Sequence, residues 1–197
     1  MARRYSVPMP PRQTSRLPHL WLITDARTDP ALDASLRRLP TGAGVVFRHY
    51  HLAPERRAAR FRRVLQLGRA RGLVVVWAGS ARAARQMRAD GCYGPPRLVG
   101  PGPAGLRLVT AHSLTELAAA ARARADLVLL SPAFPTRSHP AVAALGPLRW
   151  LLLAPRSPAP ALALGGMNAR RARRLPGFGW AAIDGLAHKN ARIPKDS

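Results

Sequence analysis

Short apolar runs alternate with amphipathic segments along almost the whole chain, and this rhythm constrains the fold more than any other feature. Leu20-Trp-Leu-Ile-Thr24 is an apolar run of strand length. Pro30 to Arg38 then carries Leu32, Leu36 and Leu39 at helical spacing. Val45-Val-Phe-Arg-His49 reads as the next strand. Pro54 to Arg71 is the clearest helix: Ala58, Phe61, Val64, Leu65 and Gly68 share one face, with arginines opposite and Pro54 suited to the first turn. Leu73-Val-Val-Val-Trp77 is a continuous strand, and Ser80 caps a helix through Arg88.

The second half repeats the rhythm. Leu106 to Thr110 is a strand, and Ser113-Leu-Thr-Glu116 has the spacing of a capping box before a helix to Ala125. Leu127 to Ser131 is a strand, followed by a loop from Pro132 to Pro140. Ala141 to Leu153 is helical in part and limited by Pro147. Ala161 to Leu164 is a strand ending in Gly165-Gly166, Asn168 caps a short helix through Arg173, and Trp180 to Ile183 is the last strand.

Strands that are apolar throughout are buried on both faces, as in parallel sheets with helical crossovers. Seven such strands are plain, and an eighth is placed near Cys92-Tyr93, after the turn Ala89-Asp90-Gly91. Eight units predict an α/β fold, a small (β/α)8 TIM barrel, with the doubly wound open sheet as the competitor. The twelve residues Gly94 to Gly105 hold four prolines and four glycines, which no normal helix tolerates. The fourth βα crossover is therefore expected to be degraded. The expected division is a disordered basic arm at 1–18, one barrel at 19–187 and a tail at 188–197.

Charge narrows the classes of partner. The chain has 197 residues and a formal net charge of +23, and Lys189 and Lys195 are its only lysines among 32 basic residues. Such a balance favours polyanions. The arginines are nonetheless spread along the whole chain together with abundant Ala, Pro and Gly, as a compositional bias would place them. Aromatics are 6% of residues, too few for a single-strand stacking platform. Specific nucleic-acid binding is not expected. No apolar run reaches the roughly 18 residues of a membrane span, and the arm lacks the apolar centre of a secretory signal. Cys92 is the single cysteine, so neither an internal disulfide nor a cysteine zinc site can form. A cytoplasmic protein with no membrane contact is the expectation.

Four segments carry a resemblance. They are Leu22-Ile-Thr-Asp25, Ala89-Asp90-Gly91, Ser131-Pro-Ala-Phe-Pro-Thr-Arg-Ser-His139 and Ala163-Leu-Gly-Gly-Met167. In this order they resemble the thiamine phosphate synthase/TenI family, a family of (β/α)8 barrels, from about Leu20 to Leu186. The resemblance implies thiamine biosynthesis: a transferase that joins an aminopyrimidine, carried as its pyrophosphate, to a thiazole phosphate with release of pyrophosphate. It implies Mg²⁺ as cofactor and a phosphorylated small molecule as ligand, and it leaves a homo-oligomer open.

The implied site is only partly kept. The family pattern after strand six is Pro-Thr, any residue, Thr or Ser, then Lys; here Thr136 and Ser138 match as substrate-binding hydroxyls, and His139 stands at the lysine. On strand two the family shows Gln-x-Arg-x-Lys; here Arg48 matches, and Val46 and Tyr50 replace its neighbours. Arg48 and His139 are the catalytic candidates, and Gly165 and Gly166 the phosphate cradle. In the last loop Asp184 would repel a phosphate unless an arginine pairs with it. The metal aspartates are absent: Ala78-Gly79 replaces the pair after strand three, and Gly94 to Arg97 has no carboxylate. No residue is named as a metal ligand. Asp25 is the one acid expected near the mouth in the first loop, with a helix-entry or turn role as the equal alternative. His112 is either a substitute for the histidine of the family's tautomerase branch or an ordinary satisfied loop residue. Three readings remain: a synthase with a rebuilt site, a non-catalytic or regulatory phosphate-ligand binder, and a polyanion-binding surface.

Overall fold

The computed structural model describes residues 17–100, 105–136 and 143–187. Eight parallel strands close into a barrel in chain order: β1 (Leu20–Ile23), β2 (Gly44–Phe47), β3 (Val74–Ala78), β4 (Gly91–Gly94), β5 (Leu106–Ala111), β6 (Leu127–Leu130), β7 (Ala161–Ala163) and β8 (Gly179–Ala182). Closure is made by β1 and β8, with Leu20 opposite Trp180. The helices are α1 (Leu32–Arg38), α2 (Pro54–Ala70), α3 (Ala81–Gln86), α4 (Pro96–Val99), α5 (Leu114–Arg122), α6 (Gly146–Leu153), α7 (Ala169–Ala172) and α8 (Asp184–Ala187). The (β/α)8 expectation holds and the open sheet is excluded, because every strand has a neighbour on both sides.

The apolar runs resolve into two cores by simple alternation. Trp21, Ile23, Val46, Val76, Leu108, Leu129 and Leu162 point inward and fill the barrel. Leu22, Val45, Phe47, Val75, Trp77, Val109 and Val128 point outward beneath the helices. Each buried side chain of this size contributes about 1.5–3 kcal/mol. The floor is sealed by Trp21, whose indole N–H donates to the Pro18 carbonyl at 2.7 Å. Leu17 packs against the same inner core, so the two residues that the sequence placed in the arm serve the barrel. The rest of that arm and the tail lie outside the described residues.

Helix α2 packs directly on β3. Phe61, Val64 and Leu65 are buried, and Phe61 meets the rings of Phe47 and Trp77 at 5.4 and 5.0 Å. A Cβ on Gly68 would stand 2.5 Å from Val75 Cγ2, so only glycine admits β3 at this distance. Among the described residues the fourth crossover carries one short helical turn, α4, in line with its proline and glycine content. Asp90 and Asp126 finish the lower ends of strands by accepting the Val75 and Arg107 backbone N–H groups at 2.7 and 2.8 Å.

Three local expectations change. The segment from Pro30 to Arg38 starts its α-helix only at Leu32; the six residues before it form a 3-10 helix (Ala26–Ala31) capped by Asp25. Pro147 sits in the first turn of α6, where its missing N–H costs nothing, rather than limiting the helix. The Ser113–Glu116 capping box is half formed. Ser113 Oγ accepts from the Glu116 N–H, but the Glu116 carboxylate accepts from His112 N–H, one residue before the cap.

Candidate active site at the strand C-terminal mouth

The C-terminal ends of the strands surround a cavity of about 820 Å³. Alternation along β2 decides what reaches it. Val46 points into the barrel, so Arg48 and Tyr50, two and four residues later, face the cavity, while Phe47 and His49 turn outward. Arg48 is fixed twice at this rim. Its backbone N–H donates to Thr24 Oγ1 at 2.9 Å, and its guanidinium lies 3.8 Å from Asp25 Oδ2.

Opposite Arg48 stand the loops after β6 and β7. Thr136, Gly165 and Gly166 line the same cavity, so the structure brings these three sequence candidates together with Arg48. Ser138 and His139 lie outside the described residues. The two glycines adopt φ of +96° and +60°. A Cβ on Gly165 would meet Pro132, and one on Gly166 would meet the Pro135 carbonyl and Arg171. The close approach of the two loops thus requires both glycines whatever the cavity binds. Arg171 ties the loops together: its Nη1 donates to the Gly166 and Pro135 carbonyls, and its guanidinium covers the Phe134 ring at 5.2 Å.

The mouth acids are both engaged. Asp25 accepts from the Arg27 and Thr28 backbone as the cap of the 3-10 helix. Asp184, in the first turn of α8, accepts from Arg27 Nε at 3.1 Å, which meets the condition set for it by the sequence. His112 lines the cavity on the β5 side. Its Nδ1 lies 2.8 Å from the Ser131 carbonyl and 3.1 Å from Ser131 Oγ.

Several lining residues were not singled out from the sequence. Tyr93 points inward from β4, and burial pushes its phenol up to about 12. The signal was present in the alternation with Cys92, which faces outward and whose thiol burial also pushes up. Asn168 and Arg171 lie at the rim, and Asn168 Oδ1 caps α7 by accepting from the Arg171 N–H at 2.9 Å.

Behind β2, away from the cavity, runs a buried polar network. His49 is almost wholly buried, and Thr24 Oγ1 lies 2.7 Å from its Nδ1. Its Nε2 is 2.9 Å from Asp29 Oδ1, close but off the line of the ring N–H, so no proper hydrogen bond forms. Burial is the largest influence and holds the imidazole below its ordinary pKa. Asp29 and Asp33 are held below the usual carboxylate range despite opposing desolvation, because Arg60 donates to both at 2.8 and 2.7 Å.

A sequence profile described as thiamine monophosphate synthase matches residues 105–187. The segment that carries β5 to β8 is thus similar to the thiamine phosphate synthase/TenI family. Among solved structures, thiamine phosphate pyrophosphorylase from Pyrococcus furiosus superposes with a TM-score of 0.69 at 22% identity, over 89% of this chain and 90% of that one. The Bacteroides thetaiotaomicron thiamine phosphate pyrophosphorylase gives 0.50 at 19% identity, over 83% and 81%. A designed cube-shaped cage made by fusing symmetric oligomeric domains gives 0.56 at 16%, over 86% and 63%. At these identities the structures share the fold. No curated protein matches the chain.

The Mg²⁺ implied by this family does not fit the donor set. Magnesium takes oxygen ligands, usually including a carboxylate. The ends of β3 and β4 offer Ala78, Gly79 and Gly94, and the Ala78 carbonyl already accepts from Arg57 Nη2 at 2.6 Å. Asp25 and Asp184 follow β1 and β8, each beside an arginine. Among the described residues no group of three His, Cys, Asp or Glu is placed to hold a metal, and no helix is long and apolar enough to cross a membrane.

Proposed function

We propose that this chain works in thiamine biosynthesis as a thiamine phosphate synthase-type transferase whose ligand is a phosphorylated thiazole. The observation that carries the reading is one shared cavity, bounded by Arg48 on one rim and by Thr136 and the Gly165-Gly166 loop on the other. Its volume lies in the range of pockets that enclose small ligands. In the reaction, the thiazole nitrogen lone pair forms a bond to the pyrimidine methylene while the methylene–oxygen bond breaks and pyrophosphate leaves. The chain must hold the two reacting atoms in line and meet the charge that develops on the leaving oxygens.

In this reading Arg48 faces the leaving pyrophosphate, with its fork of donors fixed by Asp25 and Thr24. The bare backbone of Gly165 and Gly166 admits the thiazole phosphate, and the Thr136 hydroxyl donates to a phosphate oxygen. Ser138 and His139 would extend the same loop, as the family pattern implies. Arg27 removes the repulsion that Asp184 would otherwise exert. Turnover with both substrates, read as fluorescent product after oxidation, tests this. Product that falls at least tenfold in Arg48→Ala supports it, and no product from folded protein overturns it.

A second reading is a non-catalytic or regulatory binder of the same phosphorylated ligand. The carboxylate-free ends of β3 and β4 favour it. Thiazole phosphate binding without turnover is its expected result.

A further inference from the structure

Arg57 occupies the end of β3 where the family resemblance places a metal-binding carboxylate. It leaves α2 and reaches over the strand end, and its guanidinium carbon stands 3.9 Å from the Trp77 ring centre and 4.9 Å from that of Tyr50. Its Nη2 donates to the Ala78 carbonyl, and its Nε is buried with no partner among the described residues. Tyr50 lines the cavity. Arg57 is therefore a stacked, oriented cation beside the mouth.

Its surroundings differ from those of Arg60, three residues on. Arg60 has two carboxylates, Asp29 and Asp33, and they outweigh the desolvation that opposes its charge. Arg57 has no carboxylate at ion-pair distance among the described residues, and burial weakens its hold on the proton. A partly desolvated charge without a counter-ion is costly in a protein otherwise so rich in arginine. An anion arriving at the mouth would supply the missing partner, and a planar guanidinium suits phosphate oxygens.

We infer that Arg57, together with Arg48, takes the charge-compensating role at this mouth in place of a divalent cation, so that the cavity binds a diphosphate-bearing ligand without metal. The inference rests on the proposed function and names the charge chemistry of that same site. Arg48 and Tyr50 share the inward face of β2 and line the cavity, whereas Arg57 is not itself a lining residue and stands behind Tyr50 with its guanidinium over that ring.

The test is calorimetric titration of the full-length protein with inorganic pyrophosphate, in excess EDTA and again with Mg²⁺. One-to-one binding in EDTA is expected, with a Kd changed less than twofold by Mg²⁺. Arg57→Gln should weaken binding at least tenfold and Arg57→Lys several-fold, while Arg82→Gln on α3 leaves it within twofold. Thermal melts confirm folding, and should Arg57→Gln fail to fold, Arg57→Lys decides the question. Binding only with Mg²⁺ overturns the inference. So does absence of binding, an unchanged Kd in the folded Arg57 variant, or equal weakening by Arg82→Gln. Metal-free binding without thiamine phosphate turnover sinks the synthase reading and leaves this inference standing; turnover with Mg²⁺-dependent pyrophosphate binding does the reverse.

Discussion

Arg27 Nε and Asp184 Oδ1 meet at 3.1 Å, joining the loop after β1 to the loop after β8 where the barrel closes. Both side chains remain substantially exposed, so the pair adds little to stability. Its effect is on the cavity, since Asp184 lines it. Arg27→Ala is expected to leave the melting temperature almost unchanged and to weaken phosphate-ligand binding three- to tenfold. Asp184→Asn in the same background should restore it. Calorimetry on the single and double variants checks this, and a restored affinity isolates the carboxylate as the cause.

Arg48 makes a narrower claim about geometry. Arg48→Lys keeps the charge but loses the planar fork. Binding of thiazole phosphate or pyrophosphate should drop several-fold in Arg48→Lys and at least tenfold in Arg48→Ala, with equal far-UV spectra. Equal affinities for both variants and the parent protein would remove Arg48 from the site.

Two glycines separate backbone strain from crowding. Gly100 has φ +54° and open space where a Cβ would stand, whereas Gly166 has φ +60° and the Pro135 carbonyl in the way. Gly100→Ala should cost about 1–3 kcal/mol from the backbone alone, because φ +54° with ψ 167° lies in a region essentially confined to glycine. Gly166→Ala should cost roughly 2–4 kcal/mol, because the loop after β6 must also move. Urea unfolding of both variants measures the difference.

The His49 network predicts how acid affects the fold. Burial holds folded His49 below its unfolded value near 6.5, so the unfolded chain takes up the proton first. Stability is full above about pH 6.5 and falls as the pH drops toward the folded value. Asp29 and Asp33, also held low, add a further loss as the pH falls below about 3.8. Melting temperatures between pH 8 and pH 5 should decline in the parent protein and decline less in His49→Gln.

What the sequence revealed follows from the physics of each element. The strands were legible because burial on both sides leaves an unbroken apolar run, and α2 because one apolar stripe repeats at 3.6 residues. The same spacing hid Arg57, which reads as one more arginine on the solvated face although it folds back over Trp77. The 3-10 helix was missed because Asp25 caps it through Thr28, a pattern too short to show periodicity. Arg27 and Asp184 stand 157 residues apart, and nothing local in the chain announces their contact. The twin glycines were read for phosphate, and the structure adds a reason of its own in the crossing of two loops.

The sealed floor has a kinetic meaning. Because Trp21 fills the lower end of the barrel and the cavity lies at the strand C-terminal ends, a ligand seated against Tyr93 would lie beneath any companion that shares the cavity. The deeper of the two is then expected to arrive first and depart last.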